Sequence, residues 1–473
     1  MGWTMRFNDV LDANMLHESF KKLLEIGDWR KLSGRLRRND KGHLEIRVPK
    51  QFTPDMPAVE YKHDTAMSNE SINCHPIGKD FPEPTDQPSI RPLPEKLRCF
   101  MAPDDFPATV DVLVQSDKSQ VALTITSFTD ATLVSIALPH TLGDIVSLVQ
   151  LIQNWSRVLC GRASDVPPLL DAFVDVLEPL EDDEILPRED FLLESKQLGS
   201  FGLAKFMARQ LLEKTQRNRQ LQSLYIPKDK YQALLSKVRA EAQEIAAKQD
   251  DSTSTKKPDR PLNEIDIITS WFIRIISSQE ATPRPVTIFT LYNMRFLIKS
   301  LMQMQAKGVF TQTMVSGSCA MFSGEEATSG SVSEIAKSYR AQVAKQTTEG
   351  QVLANLRRVR RELKTGNLKF AMYGETDSLL IYSNPLAKLG LVKMANFAPA
   401  VIATAPPHTT EKSTIRSNPP GTMVSNVFNP LNWADMGLDG LFPLGNDHAG
   451  GSWIMAKMSA GSWNAVIEEL DKL

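Results

Sequence analysis

The amino-acid sequence predicts an α/β protein built from two large domains. Residues 131–138 form an apolar, β-rich run, and apolar residues then recur at helical spacing from Ile145 through Leu148 to Trp155. A further alternation of helical and strand-like patterns begins after residue 263. Because the chain has 473 residues, of which 42% are hydrophobic and 23% charged, it is long enough to bury two cores.

The first domain is expected over residues 1–215. The pattern predicts a helix over 16–27, a polar hairpin-like stretch over 38–43 and a proline-rich segment over 76–107. Strands then lead into His140, after which the helical pattern begins. This half therefore places a histidine where a strand gives way to a helix, and in α/β proteins that is where loops carry side chains to a ligand.

A crossover or linker is expected over residues 216–262. From about residue 241 the sequence turns polar and ends in a run of Asp, Ser, Thr, Lys and Pro, a composition that cannot support a core. The second domain is then expected over 263–473. Its spacing predicts helices over 264–277, 331–345 and 353–363, and a strand over 286–291.

His140 and Asp144 form an H-x-x-x-D pattern at the strand-to-helix switch. A histidine can act there as a general base, because its ordinary pKa of about 6.5 lies near neutral pH. A structural alternative is that Asp144 caps the following helix and His140 is an ordinary loop residue. A third interpretation is a dyad, in which Asp144 orients the imidazole. The pattern alone leaves all three open.

Several function classes lack their usual signatures. The sequence contains no G-x-G-x-x-G, G-x-x-x-x-G-K-[ST], H-E-x-x-H or G-x-S-x-G motif. A formal net charge of -2 gives no global attraction to nucleic acid or to an acidic membrane. Neither the four cysteines nor the histidines have metal-ligand spacing, so no metal is expected.

The same sequence gives expectations about location. No stretch reaches the roughly 18 to 20 consecutive apolar residues that a membrane span needs, and the first residues lack an apolar signal core. The widely separated cysteines fit a reducing compartment. We therefore expect a cytoplasmic protein without a membrane span, acting as a monomer.

Seven segments, in this order and spacing, resemble motifs of the BAHD acyltransferase family over nearly the whole chain. They are LHESF (16–20), LSGRL (32–36), NDKGHLEI (39–46), HTLGD (140–144), IDIITSW (265–271), YNMR (292–295) and DMGLDG (435–440). The last segment is similar to the D-F-G-W-G motif of that family. The pattern is most similar to the fungal branch, the trichothecene-type O-acetyltransferases.

The resemblance implies a fold, a reaction and a set of roles. It implies two domains of similar size, like that of chloramphenicol acetyltransferase, with an active-site channel between their mixed sheets. It also implies direct acyl transfer, most simply acetyl transfer, from acyl-CoA to a hydroxyl of a small specialised metabolite such as a terpenoid, polyketide or alkaloid. His140 would be the catalytic base, and Asp144 would pair with Arg295. Asp435 and Gly437 would be structural.

The sequence departs from the family pattern at identifiable positions. Ile145 stands where the family often has Gly, and Met436, Leu438 and Asp439 replace the Phe, the Trp and the last Gly of D-F-G-W-G. The segment before the first predicted helix is short, whereas members of the family usually have a strand there. These differences concern packing and acceptor specificity more than reaction type.

Other interpretations of the same features stay open at this point. The basic run 356–364 could bind the phosphates of coenzyme A, or it could be a solvated helix face. A peptide-synthetase condensation domain, which uses a carrier-bound acyl group, shares H-x-x-x-D but usually has a second histidine immediately before it, where this chain has Pro139. The third possibility is a noncatalytic binding module with the same fold.

Overall fold

The computed structural model describes residues 1–93, 97–182, 186–249, 260–366, 372–404, 418–429, 431 and 437–473. Its first half contains these elements in chain order: β1 (Gly2–Phe7), β2 (Asp9–Leu11), α1 (Ala13–Leu24), β3 (Arg35–Arg38), β4 (Leu44–Arg47), β5 (Glu60–Asp64), β6 (Ser89–Pro92), α2 (Arg98–Met101), α3 (Val110–Gln115), β7 (Ala122–Ser127), β8 (Thr132–Ala137), α4 (Ile145–Leu159), α5 (Pro179–Asp182) and α6 (Ser200–Gln216).

The second half continues with these elements: β9 (Arg219–Ile226), α7 (Lys228–Gln249), α8 (Glu264–Ser278), β10 (Val286–Asn293), α9 (Lys299–Met304), β11 (Val315–Phe322), α10 (Gly324–Ser329), α11 (Val332–Gln346), α12 (Glu349–Lys364), β12 (Leu379–Ser383), β13 (Val401–Thr404), β14 (Ser425–Asn429), β15 (Asp439–Asn446), β16 (Ser452–Ser459) and α13 (Ala460–Asp471).

Two mixed sheets organise the molecule, and each contains a strand from the other half of the chain. The first has the order β14-β1-β8-β7-β5, and the second has the order β11-β10-β12-β15-β16-β9-β6. In the first sheet Gly2 pairs with both Ala137 and Asn429. In the second, β6 pairs with β9. The α/β fold class with two mixed sheets and flanking helices is confirmed.

The N-terminal segment corrects an expectation from the sequence. Rather than lacking the strand before the first helix, the chain forms β1 there, in the interior of the first sheet. Trp3, Met5 and Phe7 are completely buried. The signal was present in the sequence, because Trp3, Met5 and Phe7 alternate with Thr4 and Arg6, which is the period of a strand.

The segment 216–262 is more than a linker. It opens with β9, which pairs with β16 on one side and β6 on the other. Leu224 and Ile226 on this strand are completely buried. Residues 228–249 then form helix α7, and residues 250–259 lie outside the described part of the chain. The division into domains 1–215 and 263–473 stays a prediction.

The second sheet separates a helix-covered core from the space that faces the first domain. Side chains alternate across a strand, so Ile381, Leu441 and Ile454 pack into the core shared with α8, α11 and α13. Their neighbours on the strands, which include Tyr382 and Met455, line a cavity on the opposite face. The sheet therefore forms one wall of a candidate site.

Candidate active site

His140 sits on a tight turn between β8 and α4. The backbone N–H of Leu142 donates to the carbonyl of Pro139 over 3.0 Å, which closes the turn. The carbonyl of His140 accepts a hydrogen bond of 2.9 Å from the hydroxyl of Thr313. These bonds hold the backbone of the histidine, while its side chain is exposed and lines a cavity.

That cavity has a volume of about 670 Å³ and a predominantly apolar lining. The first sheet contributes Phe428 and Asn429 from the end of β14. Most other lining residues come from the second half of the chain, and they include Leu291, Phe296, Tyr382, Leu386, Phe442 and Met455. A mostly apolar cleft between two sheets, with a few polar groups, is typical of a small-molecule site.

Asp144 is 1% exposed and is held by donors from several elements. Its Oδ1 accepts from the backbone N–H of Ser147 over 3.1 Å, which completes a capping box at the start of α4. Its Oδ2 accepts from Asn293 and from the backbone N–H of Met314, both over 3.0 Å. Asp144 therefore caps helix α4, as the structural interpretation of the H-x-x-x-D pattern predicted.

Arg295 supplies the positive charge for Asp144. It lies on a single 3-10 turn directly after β10, and its Nη1 is 2.5 Å from Asp144 Oδ2. Nη2 donates to the hydroxyl of Ser147 over 3.2 Å and to the carbonyl of Gln312. The structure thus brings together two predicted site residues that are 151 positions apart in sequence.

These contacts determine the ionisation of Asp144. Burial alone would raise the pKa of its carboxyl, but the charge of Arg295 and the hydrogen bonds outweigh burial and hold the pKa below its ordinary value. Within the described residues, no hydrogen bond connects Asp144 with His140. The arrangement therefore lacks the contact that a dyad requires.

Gly437 occupies a position that requires glycine. Its φ is +67°, and a Cβ at this residue would lie 2.7 Å from the Cβ of Lys214 on α6. A side chain would be both strained and too close to its neighbour. The other predicted residue of this motif, Asp435, lies outside the described residues.

Asp439 lines the same cavity, and the sequence analysis did not identify it as a site residue. It is 3% exposed, and its Oδ1 lies 3.1 Å from Nε of Arg219. Burial raises the pKa of this carboxyl, and Arg219 offsets that effect only in part. The available signal was the departure from the family motif, since Asp439 stands where a glycine is usual.

The basic run 356–364 is engaged within the protein. Arg360 pairs with both Asp175 and Glu181, at 2.5 and 2.7 Å. Lys364 also contacts Glu181 at 2.5 Å, and Arg358 contacts Glu362 at 2.9 Å. Arg360 and Lys364 therefore attach α12 to the segment around α5, and Arg358 pairs within α12. These contacts favour the structural interpretation of the run over phosphate binding.

Two further findings bear on the chemistry that the described residues can support. They contain no cluster of three His, Cys, Asp or Glu side chains arranged to hold a metal ion. None of the helices in these parts of the chain combines the length and apolarity needed to cross a bilayer.

The fold and the cavity define a class of protein. TRI101 of F. sporotrichioides, solved with coenzyme A and T-2, superimposes with a TM-score of 0.62 at 11% identity, covering 100% of this chain and 94% of that chain. At this identity the likeness concerns the fold alone. The protein has the two-domain, chloramphenicol acetyltransferase-like fold, with the H-x-x-x-D histidine in a cavity beside both sheets.

Sequence relatives identify the family within that class. The O-acetyltransferase PaAT-2 of Phomopsis amygdali is 30% identical over 485 residues, covering 100% of this chain and 94% of the relative. The acetyltransferase BOT5 of Botryotinia fuckeliana is 29% identical, covering 100% of this chain and 87% of its own length. No protein-family model matches the chain. The chain belongs to the fungal BAHD-like acyltransferase family and is an acyltransferase.

Proposed function

We propose that this protein transfers an acetyl group from acetyl-CoA to a hydroxyl of a small specialised metabolite, with His140 as the general base. The observation that carries the proposal is the position of His140 on the wall of a 670 Å³ apolar cavity that touches both sheets. Relatives named acetyltransferases support the acetyl donor. The coenzyme A in the TRI101 complex supports a coenzyme A thioester as the carrier of that acetyl group.

The proposed chemistry needs one proton carrier. A free alcohol is a poor nucleophile at neutral pH, so the imidazole of His140 removes the hydroxyl proton as the oxygen attacks the thioester carbonyl. The tetrahedral intermediate then collapses, the carbon–sulfur bond breaks, and the imidazolium returns the proton to the departing thiolate. An ester and free coenzyme A result. Both substrates bind together, so no acyl-enzyme is required.

The cavity supports an apolar acceptor. Its volume of about 670 Å³ lies within the usual range of roughly 300 to 1,000 Å³ for small-molecule sites. Aromatic and aliphatic side chains such as Phe296, Tyr382 and Phe428 dominate the lining. A terpenoid, polyketide or alkaloid alcohol would bury apolar surface against them and present its hydroxyl to His140.

We assign the remaining motif residues to support of the site. Asp144 and Arg295 fasten the loop of His140 to the end of β10, and breaking a buried pair of this kind costs about 3 to 5 kcal/mol. Gly437 permits the close approach of its loop to α6. Asp435 is proposed to be structural on the strength of the motif alone. The chain is proposed to act as a monomer and without a metal ion.

Replacement of His140 tests the mechanism. Purified wild type, His140→Ala and the matched variant His43→Ala, whose histidine is exposed on a hairpin outside the cavity, are incubated with acetyl-CoA and terpenoid, polyketide and alkaloid alcohols. Thiol release and ester formation are measured by absorbance and mass spectrometry. We expect His140→Ala to lose at least about a hundredfold in kcat, while His43→Ala stays at the wild-type rate.

The same experiment separates the alternatives. Full turnover by a folded His140→Ala protein would refute the general-base role. Turnover with free acetyl-CoA and no carrier protein would exclude a strict condensation-domain activity. Binding of the alcohols, measured by calorimetry, without turnover of any thioester would instead support a noncatalytic module.

A further inference from the structure

Helix α6 has the reverse of the usual polarity for a surface helix. Its exposed side chains include Phe201, Met207, Leu211 and Leu212, which are 85%, 50%, 66% and 55% exposed. The buried side instead contains polar residues beside Phe206, namely Gln210 and Glu213. A surface helix normally turns its apolar face towards the core, so the outward face of α6 is unexplained by the fold.

The exposed apolar residues form one continuous face. At about 100° per residue, Phe201, Ala204, Met207, Ala208, Leu211 and Leu212 fall within an arc of about 140°. The face runs from Phe201 to Leu212 within α6, so at 1.5 Å per residue it extends for about 17 Å along the helix. Contiguous exposed apolar surface of this kind marks a site of interaction.

Positive charges border this face on both sides. Lys205 and Lys214 are exposed and lie just beyond the two edges of the apolar arc. The single acidic residue of α6, Glu213, is 8% exposed at its side chain and faces Arg284 and Arg209, at 2.8 and 3.2 Å. The outward side of the helix therefore combines apolar residues with lysines and carries no exposed carboxylate.

We propose that α6 is an interfacial helix that docks this protein on an anionic lipid surface. An apolar face bordered by lysines is the pattern of helices that lie in the plane of a membrane, with the apolar side chains among the acyl chains and the lysines at acidic headgroups. The attraction is local, so the chain's net charge of -2 does not oppose it.

Charge argues against a second copy as the occupant. A twofold interface presents the same surface from both protomers, so a second copy of α6 would add two more lysines to a face that Lys205 and Lys214 already border. The helix has no exposed acid to neutralise them. Phosphate and carboxylate groups of acidic lipids would supply the missing negative charge.

The docked helix would lie next to the candidate active site. Phe206, on the buried side of α6, packs in a cluster that includes Leu438. Leu438 in turn lines the cavity of His140. A membrane at α6 would therefore place a source of apolar molecules beside a cavity with an apolar lining.

Vesicle sedimentation tests the proposal without any substrate. The full-length chain is mixed with phosphatidylcholine vesicles, either pure or containing phosphatidylserine, and the bound fraction is measured. We expect binding to the phosphatidylserine vesicles, reduced about a hundredfold in Phe201→Ser/Leu211→Ser. Phe173→Ser is the matched control, because Phe173 is 89% exposed but lies outside α6.

The charges are tested separately. Lys205→Gln/Lys214→Gln is expected to lower affinity for phosphatidylserine vesicles roughly thirtyfold, whereas Lys41→Gln/Lys50→Gln, which removes two other exposed lysines, leaves it unchanged. Circular-dichroism melting of each variant checks folding. Failure of the wild type to bind either vesicle, or equal loss in the Phe173 control, would overturn the proposal. So would a dimer, detected by light scattering, that dissociates in Phe201→Ser/Leu211→Ser.

Discussion

Two buried Asp–Arg pairs lie at the cavity and differ in how completely they are hydrogen-bonded. Asp144 receives hydrogen bonds from Arg295, Asn293, Ser147 and a backbone N–H, and its pKa is lowered. Asp439 faces Arg219, whose Nε and Nη1 make no hydrogen bond within the described residues, and its pKa is raised. A nearby opposite charge is therefore not enough to stabilise a buried carboxylate, because burial dominates unless well-directed donors accompany it.

The largest effect is expected from Asp144→Asn. Removing this charge leaves Arg295 buried, at 1% exposure, without its carboxylate, so we expect a loss of about 3 to 5 kcal/mol in the free energy of unfolding. Urea denaturation measures it, with Asp165→Asn as a control, since the carboxylate of Asp165 is exposed and its ion pair with Arg162 lies at the surface. A loss below about 1 kcal/mol would show that the pair is not a brace.

A smaller effect is expected from Gly437→Ala, two residues before Asp439. The left-handed backbone and the contact with Lys214 together should cost about 1 to 2 kcal/mol. Gly42→Ala is the control, because Gly42 also has a positive φ but has nothing within 4 Å of the position that an alanine methyl group would take. If both variants lose the same stability in thermal melting, the contact between this loop and α6 contributes nothing.

Asp439→Asn should change stability by no more than about 1 kcal/mol at neutral pH. The substitution relieves the burial of a charge, and Arg219 keeps a second carboxylate, because Glu213 lies 3.6 Å from its Nη2. Urea denaturation of Asp439→Asn and Asp144→Asn under the same conditions compares the two losses in the free energy of unfolding. A loss as large as that of Asp144→Asn would mean that the two pairs stabilise the fold equally, contrary to the contrast drawn from their hydrogen bonds.

The smallest but sharpest test is the pH dependence of the two variants. The lowered pKa of Asp144 stabilises the fold above the unfolded pKa of about 4 and loses this effect as the pH falls, so the deficit of Asp144→Asn should shrink below about pH 4. The raised pKa of Asp439 has the opposite effect, because it lowers the stability of the fold as the pH rises above about 4. Relative to wild type, Asp439→Asn should gain stability as the pH rises above about 4. If the melting temperatures of the two variants, each taken relative to wild type, changed in the same direction with pH, the assignment of the two pKa shifts would be contradicted.

Local patterns in the sequence predicted much of the site. The helix expected from residue 145 is α4, because apolar spacing and the Asp144 cap are properties of adjacent residues. His140 lies at the strand-to-helix switch for the same reason. The predicted pairing of Asp144 with Arg295 depended on the family motif, since no local pattern relates residues so distant in sequence.

Long-range pairing and inverted polarity could not be read from the sequence. Strand β14 joins β1, and β6 joins β9, through backbone bonds that any apolar strand could make. The apolar residues of α6 obey a helical period, which ordinarily indicates a buried face, yet Phe201 and Leu211 are exposed. The ion pair of Asp439 with Arg219 likewise depends on where β9 and β15 lie in the folded sheet.

The exchange of strands between the sheets has a consequence for biosynthesis. One edge of β1 stays without its partner until residues 425–429 have been made. At a synthesis rate of about 5 to 20 residues per second, this delay lasts roughly 20 to 80 seconds. During that time the nascent first sheet presents an unpaired apolar strand, a ready template for aggregation. Chaperones that cover exposed strand edges would protect β1 over this interval.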